Sequence, residues 1–560
     1  MAPSHNRGSL DALIVGAGPV GLTLAGELTR RGLSVRVIDR LAEPLPGSRA
    51  FCVQARTLEV LNTLGVSEQL IQAGTAVEGM RVLSEGKLLL QASLQDTQSG
   101  LTHAIDLPQA EVEHILAKRL EALECPVTRS VALTDFQQDA EGVSATLKTE
   151  HSADYEQVHA RYLIGCDGAQ STVRHRLGIE MDATSPRVDF NAADVRMRWS
   201  EDPQQWHLFF HPQGSVFCYP LQGDNWRLLL ESAPGATPAR MEAPAIEASL
   251  QRVGAPKARI EAVHASHLYP VFPRVARSFQ QGRVFLAGDA AHIHHPVGSH
   301  GMNSGLQDAV NLAWKLSCVC HGLAEASLLD TYASERREAC GEAVRLAERI
   351  HRVGLLDGPV SASVRDRLVP LLASTEFFQE RARNSLESLA IAYPNSPLSR
   401  QTRKRETLSP FRQHSRTTLA AGVRLPDVKV TAAASGAAVN LHRLIGKSAL
   451  TALIFLHSTE PEELLGEVDG IMHRAREADD DLLSACIISG RRPPPPLGPW
   501  IENIYLDVRH SVHRLCHALN RPTLIVARAD GYAGLVAVPP TTAALEDYLS
   551  GFFKPLRSAG

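Results

Sequence analysis

A glycine-rich turn near the start of the chain constrains the fold more than any other feature. The turn GAGPVG occupies residues 16–21 and directly follows the short apolar run 12–15. Apolar residues then recur at helical spacing, and a second apolar run, 34–38, ends at an aspartate. A strand, a glycine turn, a helix and a strand in this order are typical of a Rossmann-like unit. The sequence therefore predicts an α/β fold with a buried parallel sheet.

Each glycine of this turn has its own physical role. Gly16 permits the tight turn, and Gly18 lets a pyrophosphate approach the backbone. Gly21 lets the helix pack closely on the strand, and the free N–H groups at the helix start attract phosphates. Asp39, at the end of the second strand, is placed to accept a hydrogen bond from a ribose hydroxyl. We therefore expect a dinucleotide here, rather than a glycine turn that serves packing alone.

The composition of the chain argues against several other classes of function. With 57 Lys and Arg against 61 Asp and Glu, the formal net charge is -4, so nothing draws the chain to nucleic acid or to an anionic membrane. The N-terminus lacks a signal-peptide pattern, and the apolar run 449–456 is too short to span a bilayer. The nine cysteines include no C-x-x-C pair, which favours reduced thiols and a cytoplasmic location. A chain of 560 residues is expected to form several domains.

Two later segments distinguish an FAD enzyme from an NAD-dependent dehydrogenase, which would share the first unit. The segment YLIGCDGAQSTVRHRLGI predicts a strand that ends at the DG pair 167–168, followed by a helix from about Ser171. The segment GRVFLAGDAAHIHHPVGSHGMNSGLQDA predicts a strand over 283–287, a GD turn at 288–289, a long loop and a helix. The chain contains no second glycine-rich unit that could serve a nicotinamide cofactor.

Together these three segments resemble the glycine, DG and GD motifs of the single-component flavoprotein aromatic hydroxylases, the p-hydroxybenzoate hydroxylase-like monooxygenases. The resemblance extends to SRAFCVQARTLEVLNTLGV and LPQAEVEHILAKRL, which look like further cofactor-contacting segments. It implies a Rossmann-like FAD-binding domain with an inserted β-sheet substrate domain, followed by a thioredoxin-like C-terminal α/β domain. It also implies FAD as the cofactor and NADPH or NADH as a transient co-substrate.

The resemblance assigns the FAD contacts residue by residue. The glycine turn would hold the pyrophosphate, Asp39 the adenosine ribose, and Asp289 the ribityl chain or the pyrophosphate. Asp167 would serve both FAD and the nicotinamide cofactor. The expected cofactor-binding residues are Gly16, Gly18, Pro19, Val20, Gly21, Asp39, Arg40, Arg49, Gln109, Asp167, Gly288, Asp289, Pro296, Gly298, Gly301, Met302 and Asn303.

The loop after the GD turn contains four histidines, at 292, 294, 295 and 300, which raises a metal site as an alternative. The adjacent His294 and His295 would point to opposite sides of an extended chain. No helical H-x-x-x-H and no facial-triad spacing occurs, so we expect no metal. Ser304 and Gln307 have capping-box spacing, which predicts a helix N-terminus at Ser304 facing the reduced flavin.

Two residues of this loop depart from the resembled family. The family commonly has Pro-x-Gly-Gly-Gln-Gly-Met-Asn, whereas residues 296–303 read PVGSHGMN, with Ser299 and His300 in place of glycine and glutamine. His300 could titrate near neutrality and assist the transfer of a substrate phenol proton, which makes it the candidate catalytic residue. The alternative is that His300 only fills space.

The segment WHLFFHPQGSVFCYPLQGDNWRLLLE predicts a β-meander. The resemblance implies that this sheet covers the flavin and forms a wall of the substrate pocket, where His207, Phe209 and Tyr219 are candidates. The C-terminal part lacks C-x-x-C but has a proline, Pro522, before a strand, as thioredoxin does. The expected domains are 1–180 with 271–400 for FAD, 181–270 for substrate, a linker over 401–420, and 421–560 for the thioredoxin-like part.

The resemblance implies an FAD-dependent monooxygenase that uses NAD(P)H and O2. It would hydroxylate an aromatic compound, phenolic or polyketide-type, through a flavin hydroperoxide. The expected partners are this small molecule and O2, with the chain acting as a monomer or homodimer. Baeyer–Villiger or epoxidising oxygenation on the same scaffold is one alternative, and a non-catalytic, flavin-bound redox sensor is another.

Overall fold

The chain divides into two compact units, each of which is described separately. The first comprises Met1–Thr97, Thr102–Ala309 and Arg336–Leu389, and the second comprises Gln98–Leu101, Val310–Glu335 and Ala390–Gly560. The computed structural model describes residues 10–44, 50–94, 101, 103–150, 154–184, 186–232, 240–255, 257–355, 367, 369–371, 373, 375–402, 420–457, 460–490, 495–508, 510–516 and 521–554. Within these ranges, no helix combines the length and the apolar character needed to cross a bilayer.

An eight-stranded sheet, here called the cofactor sheet, forms the centre of the first unit. Its strands run in the order Gln280–Gln281, Val284–Leu286, Tyr155–Gly165, Leu10–Val15, Val35–Asp39 and Thr128–Arg129, with Val143–Thr149 and Val131–Gln138 attached to Tyr155–Gly165. The strand Leu10–Val15 pairs in parallel with both of its neighbours. The helices Pro19–Thr29 and Gln109–Ala122 pack against each other beside it. The predicted α/β fold is confirmed, with strand ends within two residues of those expected.

A seven-stranded sheet, here called the covering sheet, is the second layer of the first unit. Its order is Arg259–Val271, Val188–Arg198, Asn225–Glu231, Val216–Pro220, Gln205–Phe210, Gly79–Ser84 and Lys87–Ser93. The predicted meander forms its middle. The strands of 79–93, expected in the FAD domain, instead extend this sheet through the parallel pairing of Gln205–Phe210 with Gly79–Ser84. Both faces are buried, one of them under the helix Ala243–Arg252.

Short elements connect these layers. One small sheet contains Cys52–Val53, Ile105–Asp106 and Thr75–Ala76, and another contains Met181–Ala183, Arg274–Ala276 and His292–Ile293. The other α-helices described between residues 50 and 390 are Ala55–Leu61, Ser67–Ala73, Thr172–Arg176, His300–Cys320, Asp330–Gly354 and Glu376–Leu386. We call His300–Cys320 the loop helix.

The second unit is built on its own eight-stranded sheet. The order is Arg400–Gln401, Ala533–Ala537, Thr523–Arg528, Leu450–Leu456, Leu483–Ser489, Ile504–Leu506, Lys429–Ala432 and Ala438–Asn440, with the helices Glu462–Glu477, Ser511–Leu515 and Thr542–Ser550. The strands Thr523–Arg528 and Ala533–Ala537 form an antiparallel hairpin with Gly531 in its turn. Among the described residues of this unit, the peptide bond before Pro539 is cis and the bond before Pro522 is not. Residues 403–419 of the predicted linker lie outside the described residues, and the thioredoxin-like character of 421–560 stays a prediction.

Candidate cofactor and substrate site

The glycine turn leaves one open side on an otherwise tightly packed backbone. Gly16 has φ +103, and a Cβ there would lie 2.4 Å from the Cys166 carbonyl oxygen. A Cβ on Gly21 would lie 2.0 Å from the Gly16 carbonyl oxygen, so the helix and the turn tolerate no side chain there. A Cβ on Gly18, in contrast, would meet nothing within 4 Å. Pro19 occupies the first turn of the helix, where a missing N–H costs no hydrogen bond. The open side at Gly18 therefore fits a bound pyrophosphate.

Asp39 is hydrogen-bonded to the glycine turn, next to the open side at Gly18. Its Oδ2 accepts a hydrogen bond from the Ala17 N–H at 2.8 Å, and its Oδ1 accepts one from the Leu41 N–H at 2.9 Å. Each carboxylate oxygen keeps a further lone pair for a ribose hydroxyl. Gln109 begins its helix, and its Oε1 accepts from the Ala50 N–H at 3.2 Å. Arg40 is exposed, and Arg49 lies outside the described residues.

Arg174 connects the DG and GD segments through hydrogen bonds. It was not predicted as a site residue from the sequence. Arg174 Nη1 donates to the Ala290 carbonyl at 3.0 Å, and its Nη2 donates to the Ala169 carbonyl at 2.9 Å. Asp167 Oδ2 accepts from the Val173 N–H at 3.2 Å, while its Oδ1 is buried with no partner. Burial raises the pKa of Asp167 above its ordinary value. This unsatisfied oxygen fits a hydroxyl of the cofactor, and the half-buried Asp289 lies in the adjoining turn.

The Val20 side chain, in the glycine turn, packs against both the GD turn and the loop helix. A Cβ on Gly288, which has φ +63, would lie 2.9 Å from Val20 Cγ2. A Cβ on Gly305 would lie 2.6 Å from the same methyl group. Three segments far apart in the sequence are therefore held together beside the open side of Gly18. The three segments together therefore indicate one elongated ligand more specifically than any one of the three motifs does alone.

The GD turn rests on a buried charge cluster. The Gly288 N–H donates to Asp308 Oδ2 at 3.0 Å, and Arg336 Nε donates to Asp308 Oδ1 at 2.7 Å. His292 Nε2 lies 2.6 Å from Asp308 Oδ2, and His294 Nε2 lies 3.0 Å from His292 Nδ1. Although burial opposes ionisation, His292 and Arg336 hold the pKa of Asp308 at about 2. Asp308 and Arg336 were not predicted, because their role depends on contacts between distant segments.

Three residues of this region have the spacing of metal ligands. The ligand atoms of His292, His294 and Cys340 lie within 4.8 Å of one another. However, both ring nitrogens of His292 are in hydrogen bonds, with Asp308 and with His294. The nearby Arg336 guanidinium adds a positive charge that disfavours a cation. The group therefore fits a hydrogen-bonded core better than a metal site, and the absence of a metal stays a prediction.

The loop helix begins at His300, four residues before the predicted cap. Gly298 and Ser299 have φ values of +85 and +54, and this pair turns the chain directly into the helix. Ser304 consequently lies inside the helix, and the predicted cap at Ser304 is wrong. Both side-chain polar atoms of Gln307, its expected capping partner, are buried without a partner. Pro296, Gly301 and Met302 are half-buried around this helix start, where orphan N–H groups favour a negative charge.

Gln54 and Asn303 fix the position of the helix start. Asn303 Nδ2 donates to the Cys52 and Ser299 carbonyls at 3.0 and 2.7 Å, and its Oδ1 accepts from the Gln54 N–H at 2.9 Å. Gln54 Nε2 donates to the Gly298 carbonyl at 2.9 Å. Asn303 was predicted as a cofactor contact, and its contacts here are to the backbone. Gln54 was missed, although a buried glutamine within an apolar stretch is itself a signal of a specific partner.

His300 is buried within this same group. Its Nδ1 lies 3.4 Å from Gln54 Nε2. Because the amide nitrogen is a donor, His300 Nδ1 accepts and the ring carries its proton on Nε2. Burial lowers the pKa of His300 to about 4. His300 is therefore neutral at physiological pH, and the expectation that it titrates near neutrality is wrong.

The three candidate substrate residues lie on opposite faces of the covering sheet. Tyr219 belongs to the face that carries Trp206 and meets Phe51 and the loop residue Val297. Its ring centroid lies 4.1 Å from that of Phe51. His207 and Phe209 lie on the other face, where both rings contact Trp199 at centroid distances of 4.9 and 6.1 Å. Because that face packs under a helix, the structure brings only Tyr219 of the three to the loop.

Comparison with known proteins agrees with this geometry. The model of the FAD binding domain family matches residues 9–347. The 6-methylpretetramide 4-monooxygenase of Streptomyces rimosus is 36% identical over 402 residues, which cover 69% of this chain and 70% of that protein. The structure of an anhydrotetracycline hydroxylase from Streptomyces rimosus is 27% identical with a TM-score of 0.72, covering 98% of this chain and all of that one.

A second solved structure is similar in fold. The ternary complex of aklavinone-11 hydroxylase with FAD and aklavinone has a TM-score of 0.73 at 23% identity, and the match covers 97% of this chain and 99% of that one. The family match, the related monooxygenases and the interlocked glycine, DG and GD turns agree on the cofactor and the reaction type. The chain belongs to the FAD binding domain family and is an FAD-dependent aromatic monooxygenase of the p-hydroxybenzoate hydroxylase type.

Proposed function

We propose that this enzyme hydroxylates a phenolic, polyketide-type aromatic compound with NAD(P)H and O2. The observation that carries the proposal is the open side of Gly18, held by Val20 against Gly288 and Gly305. Relatives named for 6-methylpretetramide and anhydrotetracycline support a polyketide-type substrate. Bound FAD supplies hydride acceptance and oxygen activation, and the chain needs no nucleophilic side chain for this chemistry.

The residues of the chain bind, orient and shield the reactants. Asp39 and Asp167 would hold hydroxyl groups of the cofactor, and the start of the loop helix would stabilise negative charge on the reduced ring. The aromatic face of the covering sheet around Trp206 and Tyr219 would hold the substrate ring and exclude water. Strands 79–93 and the insert 181–270 would together form this wall. Residues 421–560 would serve stability rather than redox chemistry.

The cellular setting follows from the thiols. Seven cysteines are free thiols, and six of these are buried; the seven are Cys52, Cys125, Cys166, Cys218, Cys340, Cys486 and Cys516. Free thiols are typical of a reducing compartment, so we place the enzyme in the cytoplasm as a monomer or homodimer.

The test uses the full-length protein loaded with FAD. Oxygen uptake is measured with NADH and with NADPH, without substrate and with a panel of polycyclic phenols, and products are identified by mass spectrometry. We expect phenol-stimulated uptake and a product that gains one oxygen atom with its ring intact. A ring-expanded ester would instead indicate Baeyer–Villiger oxygenation. Failure to bind FAD would refute the proposal. Oxygen uptake that no phenol of the panel stimulates would also refute it and would favour a flavin-bound redox sensor.

A further inference from the structure

The helix Ala55–Leu61 receives its N-terminal cap from a distant part of the chain. The residue before it, Gln54, makes no side-chain hydrogen bond to the helix. Instead, Glu387 Oε2 accepts from the Ala55 N–H at 2.7 Å, and the Glu387 carbonyl accepts from the Arg56 N–H at 3.3 Å. The first N–H groups of a helix have no partner within it, so these outside acceptors satisfy them. The Gln54 side chain is thereby left to make contacts elsewhere.

Ser388, the residue after Glu387, determines which way the Gln54 amide faces. The Ser388 hydroxyl donates to Gln54 Oε1, and both side chains are buried. Because the amide oxygen faces Ser388, the amide nitrogen faces the other way. Gln54 Nε2 donates to the Gly298 carbonyl at 2.9 Å and lies 3.4 Å from His300 Nδ1. With the amide reversed, two oxygens would face each other and the bond to Gly298 would be lost.

The carbonyl that Gln54 holds belongs to the turn that leads into the loop helix. Gly298 and Ser299 both have positive φ, and the helix begins at the next residue. The Gln54 N–H also donates to Asn303 Oδ1 at 2.9 Å, in the first turn of the helix. Gln54 is therefore bonded on both sides of the helix start, and its amide orientation affects where the first N–H groups of the loop helix point.

We propose that Ser388 is a positioning residue for the flavin, which acts by orienting the Gln54 amide and so sets the reduction potential of the bound cofactor. The proposal rests on one part of the proposed function, namely that the start of the loop helix stabilises negative charge on the reduced ring. The partial positive charge of the helix start favours the reduced form over the neutral, oxidised form. A change in the direction of its N–H groups therefore alters the two affinities unequally.

The test measures the midpoint potential of FAD bound to the full-length protein, by reductive titration against a reference dye. Ser388→Ala removes the hydroxyl donor and leaves the Gln54 amide able to turn. We expect the affinity for reduced flavin, relative to oxidised flavin, to fall about ten-fold, which lowers the midpoint potential of the two-electron couple by about 30 mV. A wild-type potential in Ser388→Ala would overturn the proposal.

Ser388→Gly separates the positioning role from a role in stability. Ser388 has a φ of +54, in the left-handed region that glycine adopts without strain. Glycine removes the hydroxyl but relieves the backbone, so Ser388→Gly should unfold at a higher temperature than Ser388→Ala and still show the lowered potential. The control, Ser200→Ala, changes an exposed serine of the same unit and should keep the wild-type potential. A wild-type potential in Ser388→Gly would contradict the proposal.

A double variant shows whether Ser388 acts through Gln54. Gln54→Met keeps the length of the side chain and removes the amide, so it should lower the potential at least as much as Ser388→Ala does. If the serine acts by orienting the amide, Ser388→Ala should lower the potential no further in the Gln54→Met background. Additive shifts would overturn the proposal, because they would mean that Ser388 affects the flavin by another route.

The positioning role and the proposed function fail separately, because the potential is measured without substrate. Lowered potentials in both Ser388 variants, with no phenol hydroxylated by the wild type, would support the positioning role and refute the proposed function. Phenol hydroxylation by the wild type, with wild-type potentials in both variants, would support the proposed function and refute the positioning role.

Discussion

Two glycines of the same turn should respond in opposite ways to the same added methyl group. Gly18→Ala places a Cβ in open space at an ordinary φ of -74, so the fold should be unchanged. The methyl group would, however, occupy the approach of the pyrophosphate and should weaken FAD binding about ten-fold or more, which is ~1.4 kcal/mol. Gly21→Ala places a Cβ against the Gly16 carbonyl and should lower the free energy of unfolding by about 3 kcal/mol.

Flavin titration and thermal unfolding of the two apoproteins check this prediction. Equal loss of FAD affinity in both variants, without loss of stability in either, would show that the turn does not have these two roles.

At the level of single residues, the sequence predicted best what depends on local backbone. The roles of Gly16 and Gly21 follow from a short stretch of chain, and the structure agrees. Gln54 could not be placed, because its partner Asn303 is 249 positions away in the sequence. The neutrality of His300 could not be predicted either, because its pKa depends on burial by other segments.

At the level of elements, the main errors concern where a helix starts and which way a sheet faces. The loop helix starts early because two consecutive positive φ values reorient the chain, and only one of those residues is a glycine. The strand Gln205–Phe210 is buried at every position after Gln205, so no polar–apolar alternation marks the face that meets the loop. His207 and Phe209 were therefore assigned to the site although they face the other way.

Glu387, which directly follows the helix Glu376–Leu386, should make the stability of the first unit depend on pH. Glu387 accepts hydrogen bonds from the Ala55 N–H at 2.7 Å and the Ala104 N–H at 3.0 Å. Burial raises its pKa to about 7, with a smaller contribution from Glu59. The folded state therefore holds a proton that the unfolded state has lost between about pH 4.5 and about pH 7. Stability should fall by up to about 3 kcal/mol as the pH rises through this window.

Glu387→Gln removes this titration and should flatten that slope. Unfolding by denaturant is monitored through the release of flavin, at about pH 5 and at about pH 8, for the wild type and for Glu387→Gln. The control is Glu111→Gln, which changes an exposed glutamate of the same unit. Wild type and the control should lose stability at the higher pH, and Glu387→Gln should not. Parallel profiles for wild type and Glu387→Gln would contradict the assignment.

At the level of the whole molecule, the second unit is organised around one buried carboxylate. Glu335 accepts hydrogen bonds from Lys315 Nζ at 2.8 Å, from Arg528 Nη1 and Nη2 at 2.7 and 2.8 Å, and from Ser396 Oγ at 2.5 Å. Although burial opposes ionisation, Arg528 and Lys315 hold the pKa of Glu335 well below its usual range. These partners come from well-separated parts of the sequence, so no local sequence pattern predicted the cluster.

Glu335→Gln should leave the two cations of this cluster short of one buried charge. We expect a loss of about 3 kcal/mol from the free energy of unfolding of the second unit. Hydrogen exchange of the slowest amides in Thr523–Arg528 should then accelerate about 100-fold. The exposed Glu463→Gln on the helix Glu462–Glu477 is the control. Unchanged exchange in Glu335→Gln would show that the cluster contributes nothing to stability.

The contact of Val20 with Gly288 and Gly305 also limits how this sequence can drift over evolution. A methyl group gained at either glycine would collide with the valine. At Gly288 the φ of +63 would strain a side chain in any case, whereas a change at Gly305 requires a smaller residue at position 20 beforehand or at the same time. Substitutions at Val20 and at Gly305 should therefore depend on each other, although the two positions are far apart in the sequence. Gly305→Ala, damaging on its own, should be rescued in part by Val20→Ala, because only the 3.0 Å contact with the Gly288 Cα would remain, and substitution histories in this lineage should pass through the smaller residue first.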